Sequence, residues 1–283
     1  MKKLLYIITL LILLANCSTE ETGGTFNGDV ILNTQDEINL FGEHHYERVT
    51  GYLHVAANFQ EDDITDLSPL NSIKVIDGKL LITGVSYMPE LHLNITHTGG
   101  LWIESMHTTE IISFPYLTEV TDDGMNILRN DALTTLNFPD LESVKDRISF
   151  HQNASLTTIH GMPNLNTIVL DSHPEEQITS IAITENPVLN SIEEFNSLFG
   201  QVYYLKISQN PHLTSLEGLQ NLSLGVINIS FNEALTDYCA IGEFISAGET
   251  VDGHPYEDGS TLMIFDNAYN PNLQNFLDGD CSP

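Results

Sequence analysis

Basic residues are scarce in this 283-residue chain: 9 Lys and Arg stand against 39 Asp and Glu, a formal net charge of −30. A phosphate backbone would be repelled, so nucleic acid is excluded as a partner, and the acidic surface is of the kind that keeps an exported protein soluble. The motifs that carry common chemistries are missing as well. There is no G-x-S-x-G elbow, H-E-x-x-H helix, C-x-x-C pair, phosphate loop or complete EF-hand loop. The chain therefore reads as a non-enzyme without cofactor or resident metal. His44-His45 beside Glu43 has no second ligand pair at fixed spacing and reads as an exposed turn. The acidic clusters Glu61-Asp62-Asp63 with Asp66, Asp122-Asp123, and Asp278 with Asp280 offer oxygens of the sort Ca²⁺ accepts, but fall where solvated turns are expected. Helical periodicity is lacking along most of the chain.

What is present begins at the N-terminus. Lys2 and Lys3 precede an apolar run from Leu4 to Leu14, a length that suits a signal h-region and is short for a membrane span. The run ends in Leu14-Ala15-Asn16-Cys17, which resembles the lipobox of bacterial lipoproteins, with Asn16 where Gly, Ala or Ser is usual. The resemblance implies a leader over residues 1–16, lipid on Cys17, and a lipidated N-terminus and polar tether over 17–32. Several acyl chains, each CH₂ contributing about 0.8 kcal/mol, would hold the protein on a membrane. It further implies export to the outer membrane of a Gram-negative bacterium, and the acidic residues after Cys17 resemble a surface-export signal. With Cys17 lipidated, Cys239 and Cys281 remain as an even pair in an oxidising compartment, suited to a disulfide that staples the C-terminal end.

The rest of the chain repeats. Apolar pairs of the form Φ-x-Φ occur at Leu53/Val55, Leu80/Ile82, Leu101/Ile103, Met125/Ile127, Ile148/Phe150, Ile181/Ile183, Leu205/Ile207, Ile227/Ile229 and Leu262/Ile264. Successive pairs are 27, 21, 24, 23, 33, 24, 22 and 35 residues apart, a unit near 23 with three insertions. Further apolar runs follow in each unit, as in Phe138-Pro139-Asp140-Leu141 with Val144. Each unit reads as two or three short strands with alternate side chains pointing inward, and such coils must stack on one another to bury their apolar side. In seven units an Asn follows three residues after the pair: Asn58, Asn130, Asn153, Asn186, Asn210, Asn232 and Asn267. An amide inside a sharp turn satisfies buried peptide groups, so these are expected to form a structural ladder. Val85 and Met106 hold the equivalent place in two units.

Three segments carry a family resemblance: Asp36 to Gly42 leading into Val49 to Val55; Ile64-Thr65-Asp66-Leu67-Ser68-Pro69-Leu70; and Leu235-Thr236-Asp237-Tyr238-Cys239 followed by Asn267 to Pro271 and Gly279-Asp280-Cys281. They resemble the receptor L-domain family, a leucine-rich-repeat-like fold. The implied architecture is an all-β, right-handed β-helix of about nine coils over residues 33–283, with a short N-terminal capping helix and a disulfide-stapled C-terminal cap. Thr34 and Glu37 fit a capping box for that helix. Family membership implies binding of a ligand through a sheet face or edge loop, not catalysis.

The x positions of each Φ-x-Φ-x point away from the core. They include His54, Trp102, Glu104, Asn126, His151, Lys206, Asn228 and Phe265, with Trp102 the only tryptophan. An aromatic among polar groups on a regular sheet suits a glycan or a protein hot spot. The expected function is a non-enzymatic, lipid-anchored surface protein, such as an adhesion protein, that binds a protein or glycan. The alternatives are a structural envelope spacer without ligand and a carbohydrate-active β-helix enzyme.

Overall fold

The computed structural model describes residues 23–57, 64–169, 181–247 and 261–283. The leader, Cys17, Asn58 and the Glu61-Asp62-Asp63 cluster lie outside the described residues.

All nine Φ-x-Φ pairs stack in one parallel sheet. Leu53, Leu80, Leu101, Met125, Ile148, Ile181, Leu205, Ile227 and Leu262 stand one above another in register. The chain is a β-solenoid of about eight turns. Alternation dictates which side chains meet: the flanking Φ residues of each strand from Leu53 to Ile229 are buried inside the coil, and the residue between them faces out. Parallel pairing with the rungs above and below satisfies the backbone groups, which is why no rung is stable alone.

The solenoid starts earlier than the boundary at residue 33. Val30–Leu32 pairs in register with Leu53–Val55, and Thr25–Phe26 pairs with Arg48–Val49. Thr25–Phe26 and Val30–Leu32 are thus strands of the solenoid sheet. The helix Gln35–Gly42 forms where the capping box predicts: Thr34 accepts from the Glu37 amide, and Glu37 accepts from Asn33 N at 2.7 Å. Ile38 is fully buried, and Gly42 lies so near Pro69 that an added Cβ would sit 2.5 Å from the proline ring. The helix therefore nests beside the turn Ser68–Leu70 of the next coil. Phe26, Phe41 and Tyr46 cluster with ring centroids 5.2–5.5 Å apart beside it.

Each coil has two further sides. One carries the short parallel strands Glu90–His92, Ile111–Ser113 and Thr135–Asn137. The other carries Glu119–Val120, Ser143–Lys145 and Thr167–Val169. Where this side meets the long sheet, the backbones crowd: a Cβ on Gly78 would sit 2.8 Å from the Gly51 carbonyl carbon, and one on Gly99 would sit 2.5 Å from the Asp77 oxygen. Only glycine lets these rungs approach. At the far end, Cys239 and Cys281 form the expected disulfide, closing 42 residues. Helices Cys239–Ser246 and Leu273–Asp278 cover the last coils. Tyr238 is fully buried beneath them and donates to Tyr269 O at 2.9 Å; burial pushes its phenol well above the usual range.

Candidate functional site

The asparagine ladder fixes the turn from which the site is built. The Asn186 amide donates to the carbonyls of Phe150 and Thr184 and to Asn210 Oδ1, while its own oxygen accepts from Asn153 N and Nδ2. The same pattern recurs at Asn130, Asn153, Asn210 and Asn232, and it ends at Asn267, whose amide bonds Asn270 in its own turn. Met106 has no amide but gives its N–H to Asn130 Oδ1.

The residue before each ladder position is left-handed. Ser105, Arg129, Gln152, Glu185, Gln209, Phe231 and Asp266 have φ between 54° and 60°, and Gly84 has 72°. Left-handed backbone throws these side chains outward into a column beside the sheet. Residues two positions on, among them His107, Asp131, Pro187 and Pro211, form a parallel column beyond the ladder. Between the two columns runs an open groove of roughly 910 Å³ that crosses six rungs, from Ser105 to Phe231. The expected ligand-binding residues did not include this groove, because the repeat pattern marks its residues only as turn.

The sheet face and the groove are one hydrogen-bonded surface. Trp102 Nε1 donates to Glu104 Oε2 at 2.9 Å, and Arg129 donates to Glu104 Oε1 at 2.5 Å. Arg129 Nε then donates to Gln152 Oε1 at 3.2 Å, and Gln152 Nε2 to Glu185 Oε2 at 2.7 Å. His151 lies 2.8 Å from Thr184 Oγ1 and 3.9 Å from Glu185 Oε1. Trp102, Glu104 and His151 thus belong together at the edge of the groove.

The other expected residues divide. Asn126 sits in the outward column between Trp102 and Ser149 but is only 3 % exposed, so it offers no accessible surface. His54 lies several rungs away with Nε2 2.9 Å from Thr83 Oγ1, and burial lowers its pKa below the ordinary 6.5. It borders a separate hollow of roughly 470 Å³ with Lys79 and Asp122. Lys206 and Asn228 are register neighbours toward the C-terminal end, where Asn228 donates to the Tyr204 hydroxyl at 3.3 Å. Phe265 is exposed and meets Phe231 edge-on at 5.5 Å. Among the acidic clusters, Asp123 pairs with Lys79 across Gly100, and Asp122 lies 3.8 Å from Lys145. Among the described residues no group of three His, Cys, Asp or Glu side chains could hold a metal ion.

No protein-family model matches the chain, and comparisons with curated proteins and with solved structures return no match. The functional reading therefore rests on this surface.

Proposed function

We propose that this is a non-enzymatic, lipid-anchored surface protein, of receptor L-domain type, that binds a protein or glycan through the solenoid surface around Trp102. One observation carries the reading: the chain of hydrogen bonds from Trp102 through Glu104, Arg129 and Gln152 to Glu185 holds polar side chains of four rungs in fixed positions at the solvent boundary. Surface side chains of a plain spacer have no need to be ordered, whereas a binding surface gains affinity from groups fixed before the ligand arrives. Anchoring rests on the basic n-region, the apolar run and Cys17.

Two measurements test it. Metabolic acyl labelling should mark the wild-type chain and fail on Cys17→Ser; equal labelling of both removes the anchor. Binding to glycan arrays and to envelope extracts should fall for Trp102→Ala and His151→Ala at unchanged melting temperature, whereas Ile103→Ala, at a fully buried site, should cost about 2–5 kcal/mol of stability. A wild-type chain that retains nothing in either assay supports the spacer.

A further inference from the structure

We infer that the groove between the two turn columns binds a neutral, extended oligosaccharide laid along the solenoid axis. The inference rests on the binding function proposed above and names its ligand class.

Spacing decides between a sugar chain and a peptide. Rungs of a parallel sheet lie about 4.8 Å apart, so six rungs from Ser105 to Phe231 span about 24 Å. Each rung presents one outward turn side chain, so recognition groups repeat once per rung. An extended peptide advances about 3.3 Å per residue, so only every third residue meets a rung and only every second rung is met. A chain of equatorially linked pyranose rings advances by close to one rung per ring and keeps step along the whole groove.

The lining has the matching chemistry. Gln152, Glu185 and Gln209 follow one another down one wall, and amide and carboxylate ends carry paired donor or acceptor atoms that fit neighbouring hydroxyls. Gln209 makes no side-chain hydrogen bond to the described residues, so its amide is available. Pro187 and Pro211 on the opposite wall, with Phe231 at the end, supply flat C–H-rich and aromatic surface for the faces of sugar rings.

Charge selects a neutral ligand. Arg129 is engaged by Glu104, Asp131 lies 2.8 Å from His107 Nδ1, and Glu185 and Glu233 add negative charge in a chain already at −30. An acidic polysaccharide would be repelled. Backbone strain marks the same column of side chains. Glycine at a left-handed position avoids a cost of about 1–2 kcal/mol, yet seven of the eight described turns keep a side chain there.

The test is calorimetric titration of the full chain with neutral hexasaccharides of β-1,4-linked glucose, mannose, xylose and N-acetylglucosamine, with a galacturonic acid hexamer as acidic comparator. At least one neutral hexasaccharide should bind, its disaccharide should bind at least tenfold more weakly, and Gln209→Ala and Glu185→Ala should each weaken binding about tenfold at unchanged melting temperature. Asp140→Ala, on another side of the coil, should leave affinity as it is. The inference is overturned if no neutral hexasaccharide binds, if the acidic hexamer binds best, or if the groove variants bind as wild type. Should a glycan or protein partner bind through Trp102 while Gln209→Ala has no effect, the surface-binding function stands and the groove assignment falls. Loss of a protein partner on Gln209→Ala, without any glycan binding, keeps the groove and refutes the sugar.

Discussion

Gln209 and Asn210 stand side by side in the chain and do opposite things. Gln209 adopts φ 58° at the turn with its side chain outside, while the Asn210 amide is fully buried and hydrogen-bonded. Replacing Gln209 with glycine removes a left-handed penalty of about 1–2 kcal/mol and adds about 0.5–1 kcal/mol of unfolded-chain entropy. The urea midpoint should therefore rise by the equivalent of about 0.5–1 kcal/mol. Asn186→Ala should do the reverse, because it leaves the Asn153 N–H and the Phe150 and Thr184 carbonyls without their partner. At about 1–3 kcal/mol per orphaned group the loss should exceed about 3 kcal/mol in the same assay. The two neighbours were unequally legible. Asparagine at a fixed offset from an apolar pair has a physical use, and the ladder follows from it. Arg129, Gln152, Glu185 and Phe231 are not residue types that mark left-handed backbone, so the column that lines the groove left no signal in the sequence.

At the scale of elements, the apolar alternation located the strand of every full rung. It missed the first: Val30-Ile31-Leu32 has the same pattern, 23 residues before Leu53, but the residue three places on is Gln35, which opens a helix instead of continuing the ladder. Gln35 still bridges coils, accepting from the amides of Thr65 and Asp66 at 2.9 Å. The strands Val75–Thr83 and His97–Glu104 run through Gly78 and Gly99, where the rungs approach too closely for a Cβ. The C-terminal cap was read correctly from cysteine pairing. Its removal by Cys239→Ser with Cys281→Ser should cost about 4 kcal/mol in the chain-entropy model. Hydrogen exchange should register the loss first in Leu222–Ser230 and Leu262–Phe265, with Met125–Leu128 little affected, since stability in a stacked array is local. Uniform loss along the chain would contradict that.

The whole molecule combines a continuous apolar core with a surface of one sign. With 9 basic against 39 acidic residues, most carboxylates have no cation to face, and the folded coil brings them closer together than the unfolded chain does. Raising salt from about 0.02 M to about 0.5 M shortens the screening length from over 20 Å to under 5 Å, so the melting temperature should rise. A flat response would mean that the described ion pairs, such as Arg48 with Asp77 at 2.6 Å, already balance the field. Core and solenoid could be inferred at this scale because burial of repeated apolar pairs leaves one way to stack. The ligand could not, because specificity lies in side chains whose identity the stacking does not constrain.

The way the asparagine ladder finishes sets which copies of the unit can be multiplied. Between Asn130 and Asn232 each amide passes its hydrogen bonds to the next rung, so a duplicated unit of about 23 residues inserted there inherits partners on both sides. At Asn267 the N–H and the side-chain amide donate back to Asn270 Oδ1, and a unit added after it would meet a turn whose donors are already used. The array can grow by duplication from its middle, lengthening the groove by one rung each time, while its end stays the same.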